Sequence, residues 1–84
     1  ALIKCKAESI EILMEQKANL SLSIYEAVTG KKLKTYQIDE SQRTLPFNFR
    51  ANQLYFVVLY EGNRVLDKTG YLFFNSFTKA QLLI

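Results

Sequence analysis

The stretch Leu54-Tyr55-Phe56-Val57-Val58-Leu59-Tyr60 is apolar at both odd and even positions and rich in β-branched and aromatic residues. A segment of this length and composition is expected to be a central strand, paired on both sides. On its N-terminal side, Leu45, Phe47 and Phe49 alternate with Pro46, Asn48 and Arg50. A proline within such a run places it at a sheet edge, where a missing N–H is tolerated. On its C-terminal side, Glu61-Gly62-Asn63-Arg64 closes a tight hairpin into residues 64–67. Lys68-Thr69-Gly70 reads as a second break, and Tyr71 to Phe74 as a further strand.

Further upstream the alternation is cleaner. Leu20, Leu22 and Ile24 point one way and Ser21 and Ser23 the other, the pattern of a half-buried strand. Ile10, Ile12 and Met14 alternate with Glu11, Leu13 and Glu15. Residues 7–18 contain good helix formers, but two β-branched isoleucines in regular alternation favour a strand. Thr29-Gly30-Lys31 forms a turn with Gly30 available for positive φ, and residues 32–38 resume a strand. Leu33, Tyr36 and Ile38 do not share one parity, which predicts a bulge or a twisted edge. Asp39-Glu40-Ser41-Gln42 is a polar loop, and the tail 81–84 is short and apolar.

Six or seven short strands with turns at intervals of about 8–12 residues define an all-β chain, and the expected fold is an immunoglobulin-like β-sandwich of antiparallel strands. With 84 residues, 49% hydrophobic and 23% charged, residues 1–84 make one folded domain with one modest core. The chain opens with Ala, so we read it as a processed product or module of a larger protein. No run approaches the length of a membrane helix.

Composition also narrows the chemistry. His and Trp are absent and there is one Cys, which excludes zinc sites built on His and Cys and His-assisted nucleophiles. No catalytic residue, cofactor or metal is expected. Asp39-Glu40, the adjacent acidic pair, reads as a solvated turn, and Cys5 as a small hydrophobe beside the first strand. Asn19-Leu20-Ser21 matches a glycosylation pattern but is expected to sit on a strand.

The apolar excess carries the functional expectation. With Leu54, Phe56, Val58 and Tyr60 taken as core-facing, Tyr55, Val57 and Leu59 turn outward, with Tyr71 and Phe73 beside them. A two-layer sandwich has nothing to cover that face, and such patches mark contact with a protein partner or a second copy. Tyr55 also suits a tyrosine corner, whose hydroxyl bonds backbone upstream. The alternative is a small basic nucleic-acid-binding barrel. In it Lys31, Lys32 and Lys34, with Arg43, Arg50 and Arg64, attract phosphates while Tyr36, Phe47, Phe49, Tyr55 and Tyr60 stack on bases. A carbohydrate-binding module ranks third, since Tyr faces can stack on sugars.

Two stretches add a resemblance. Residues 22–36, Leu-Ser-Ile-Tyr-Glu-Ala-Val-Thr-Gly-Lys-Lys-Leu-Lys-Thr-Tyr, are similar to a hairpin of Bacteroidetes C-terminal β-sandwich domains, the sorting domains of type IX secretion among them. Residues 51–65 resemble a second segment of those domains, with Tyr55 and Gly62 in place and Gln53 where the family has Gly. The resemblance implies a non-catalytic, extracytoplasmic module, secreted or at the cell surface, attached to a larger protein.

Overall fold

A computed structural model of the chain describes residues 2–15 and 18–74. Among the described residues there are seven strands: β1 (Ile3–Lys6), β2 (Ser9–Ile12), β3 (Leu20–Glu26), β4 (Lys32–Gln37), β5 (Thr44–Pro46), β6 (Tyr55–Glu61) and β7 (Arg64–Tyr71). They form two antiparallel sheets, ordered β1-β2-β5 and β4-β3-β6-β7. The all-β reading therefore holds, and residues 9–12 are strand rather than helix.

The sheets face each other through alternate residues. Ile3, Ile10, Ile12 and Leu45 come from the smaller sheet, and Leu20, Leu22, Ile24, Val57 and Leu59 from the larger. Removing these side chains from water is the main stabilisation of so small a chain. As expected, β6 is central, between β3 and β7, and β5 with its proline is an edge. β4 is also an edge and carries the irregularity, a register shift opposite Ile24 and Tyr25. Gly30 (φ 73°) turns the β3–β4 hairpin, and Gly62 (φ 58°) leads the two-residue β6–β7 hairpin, the position a II′ turn reserves for glycine.

Two bonds tie the sheets at their open sides. The Leu2 N–H, just before β1, donates to Asp67 Oδ2 in β7 at 2.8 Å. At the opposite side the Tyr36 hydroxyl in β4 donates to the Pro46 carbonyl in β5. Each edge pair is thereby joined by a group that the neighbouring ladder leaves free.

Three expectations need correction. Lys68-Thr69-Gly70 is not a break: β7 runs through it in register with Phe56, Val57 and Val58. The strand expected at 71–74 contributes only Tyr71 to β7. Asn19 lies in an exposed turn at φ 63°, not on a strand. The tail at 81–84 lies outside the described residues.

Candidate functional site

The outer face of the larger sheet follows from register, because cross-strand partners share a face. Leu22 pairs with Leu59 and Ile24 with Val57, all fully buried, so their neighbours point outward. The outer side therefore presents three rows across the strands. The first is Lys32, Tyr25, Phe56 and Gly70; the second is Thr35, Ser23, Val58 and Lys68; the third is Gln37, Ser21, Tyr60 and Val65. At the centre of the second row Ser23 and Val58 are themselves covered by their neighbours, at 3% and 6% exposure.

Its centre is aromatic and aliphatic. Tyr25, Phe56, Val58, Tyr60 and Val65 line an open groove of about 350 Å³, with Lys68 at its side. Val65 is 54% exposed. The Phe56 ring also lies against Gly70, whose Cβ position it approaches at 3.7 Å, so the ring covers an edge glycine as well as lining the groove. The Tyr25 and Tyr60 hydroxyls hydrogen-bond to each other at 3.1 Å. That bond holds the Tyr25 phenol below its ordinary value, helped by the nearby Lys32 ammonium, and raises that of Tyr60. Lys32 Nζ stands 5.8 Å from the Tyr25 ring centroid, and Lys68 Nζ 4.9 Å from that of Phe56. Ser23 and Thr35 join hydroxyls at 3.1 Å on the β4 side of the groove.

The contact residues expected from the sequence lie on the other side of the sheet. Tyr55, Val57 and Leu59 are 2%, 0% and 0% exposed and belong to the core. Tyr71 and Phe73 are half-buried and pack against it. The correction is one of register: the inward set is Tyr55, Val57 and Leu59 rather than Leu54, Phe56, Val58 and Tyr60, and a one-residue slip exchanges the faces. Tyr55 instead takes the structural role foreseen for it, its hydroxyl accepting the Arg50 N–H at 2.9 Å. Around it Phe47, Phe49 and Tyr71 make a cluster of edge-to-face rings, with Phe49 4.9 Å from Tyr55 and 4.7 Å from Tyr71.

The lysine patch also divides. Lys31 is in the turn and Lys32 faces outward, whereas Lys34 pairs with inward-facing Ile24 and stands 5.3 Å from the Tyr36 ring. Of the five aromatics proposed as a stacking platform, Tyr36 is bonded to Pro46, and Phe47, Phe49 and Tyr55 are packed together. Only Tyr60 reaches the outer face. Tyr25 is an outer-face residue that the sequence expectations do not include, although the β3 alternation puts it on the same side as Ser21 and Ser23. Val65 and Lys68 carry no such signal.

The remaining candidates are quiet. Cys5 pairs with Ile10 and faces the core, where burial pushes its thiol up to about 11. The Asp39 carboxylate accepts the Ser41 N–H and hydroxyl at 3.0 and 3.1 Å, which holds it below the usual carboxylate range, as in a solvated turn. Among the described residues no group of three or more Cys, Asp or Glu is gathered to hold a metal, and no helix is long and apolar enough to cross a membrane. No family model, curated protein or solved structure matches the chain.

Proposed function

We propose that this chain is a non-catalytic immunoglobulin-like module that works by contact with another protein, as an accessory part of a secreted or surface protein. The observation that carries the reading is the outer face of the larger sheet. There Tyr25, Phe56, Val58, Tyr60 and Val65 form one apolar strip opposite the core. Val65 is open to solvent, Tyr25, Phe56 and Tyr60 are half-exposed, and Val58 forms the buried floor between them. Apolar strips of this kind on small domains mark interaction surfaces, and tyrosine is well suited to them because its ring is apolar and its tip polar.

Two features support the immunoglobulin-like assignment. Strands 1, 2 and 5 share one sheet and strands 3, 6 and 7 the other, the distribution of strands A, B, E and C, F, G. Tyr55 begins β6, the counterpart of strand F, and bonds the backbone of the preceding connection. The extracytoplasmic placement rests on the resemblance of residues 22–36 and 51–65 to Bacteroidetes modules. The nucleic-acid reading loses ground because, of its three lysines and five aromatics, only Lys32 and Tyr60 share the outer face.

Light scattering in high salt, where repulsion between lysines is screened, tests the strip without its partner. The parent chain should attract its own copies more strongly than Tyr60→Ser combined with Val65→Ser. Equal attraction in both would place the contact-prone surface elsewhere.

A further inference from the structure

We infer that the partner presents an extended segment with two carboxylates four residues apart and an apolar residue midway, laid across the strands of the outer face. This rests on the strip being the contact surface and specifies what it takes.

The argument is one of charge and spacing. The three outward rows contain two lysines and no acid. Lys6 and Arg64, elsewhere on the surface, pair with Glu11 and Glu61 at 3.4 and 2.7 Å. Lys32 and Lys68, like Lys4, Lys31, Lys34, Arg43 and Arg50, have no carboxylate partner among the described residues, and they are the two that stand in the outward rows. Each ammonium instead stands over an aromatic ring, Tyr25 or Phe56, at the margin of the groove. An incoming carboxylate would neutralise a charge already held beside apolar surface, where the attraction is less screened than in open water.

These lysines stand on β4 and β7, the two edge strands, in neighbouring rows. Their backbones are about 14 Å apart across the sheet and about 7 Å along it, roughly 16 Å on the diagonal. Four extended residues and two long lysine side chains bridge that span on an oblique path. An extended peptide advances about 13 Å in four residues, and residues an even number apart point the same way. Acid, apolar and acid at alternate positions then meet lysine, groove and lysine. Two copies of this face packed symmetrically would bring lysines against lysines, which disfavours self-pairing. Single-stranded nucleic acid needs open ring faces, and those of Tyr25 and Phe56 already carry ammonium groups.

The probe is the peptide Ser-Glu-Thr-Leu-Thr-Glu-Ser, acetylated and amidated, titrated into the full chain at low ionic strength and followed by amide shifts. Shifts should gather at Tyr25, Phe56, Val58, Tyr60 and Val65. Replacing both glutamates by glutamine should weaken binding about tenfold, as should Lys32→Gln with Lys68→Gln. The doubly substituted control Lys4→Gln with Arg43→Gln, which removes the same charge elsewhere, should leave affinity unchanged.

Each failure has its own meaning. A glutamine peptide that binds the strip equally well would overturn the acidic pattern while leaving the contact surface standing. Equal loss in both double variants would reduce the effect to net charge and overturn the inference. The absence of any shift on the strip with the glutamate peptide would overturn it too. Binding of a short oligothymidylate on the same residues, tighter than the peptide, would transfer the surface to nucleic acid.

Discussion

The hydroxyl of Tyr55, the first residue of β6, accepts the backbone N–H of Arg50 at 2.9 Å, five residues upstream. This bond fastens the β5–β6 connection to the core strand while the ring packs against Phe47 and Phe49. Tyr55→Phe keeps the ring contacts and removes the acceptor. It should cost about 1 kcal/mol, lowering Tm by roughly 4–8 °C in thermal unfolding. An unchanged Tm would mean that the bond does not help to hold the connection.

The register of β6 predicts a sharp contrast between two small truncations. Leu59→Ala empties a fully buried site and should cost about 2–5 kcal/mol in urea unfolding. Val65→Ser changes an exposed side chain and should stay within about 0.5 kcal/mol of the parent. The opposite order would contradict the assignment of faces.

That assignment is also where the sequence was least legible. β3 states its orientation outright, because serines alternate with leucine and isoleucine. β6 does not: Tyr55, Val57 and Leu59 are as apolar as Phe56, Val58 and Tyr60, so composition cannot distinguish core from surface. What decides is the pairing of Leu22 with Leu59 and of Ile24 with Val57, a non-local relation that no window of β6 contains. The same holds for β7. Lys68 and Gly70 look like a turn locally, yet β6 holds them in a ladder, with the Phe56 ring lying against Gly70. The turns at Gly30 and Gly62 are legible, since each acts through its own backbone, and so is the proline at the β5 edge. The outer groove was only half readable, through the parity of Tyr25.

Burial of Cys5 makes a prediction about reactivity. With its pKa raised from 9.0 to about 11, the folded chain holds about a hundredfold less thiolate below pH 9 than a free thiol would. Labelling by an aromatic disulfide should be slow in the native chain and fast in urea. The folded state favours the neutral thiol, so this contribution to stability is complete below pH 9.0 and declines as pH rises toward 11. In Cys5→Ala that part of the alkaline loss should vanish. Native labelling as fast as in urea would contradict the burial.

The Tyr25–Tyr60 pair should titrate in order. Tyr25 ionises first, accepting the Tyr60 proton donor as it becomes phenolate, and Tyr60 follows above its ordinary value. Ring-carbon shifts followed through alkaline pH would show this. Tyr60→Phe should move Tyr25 upward, and by more than Lys32→Gln does, because the hydrogen bond outweighs the charge. Simultaneous titration of both rings would contradict the contact.

The central claim is that the outer face of β3, β6 and β7 is built for contact. Amide shift mapping with phenol, a small probe that collects on protein contact surfaces, tests it most directly. The shifts are predicted to concentrate on Tyr25, Phe56, Val58, Tyr60 and Val65 and to fall away in Tyr60→Ser combined with Val65→Ser. Shifts concentrated around Leu33, Phe47 and Gln53 at the other depression, or spread without a centre, would contradict it.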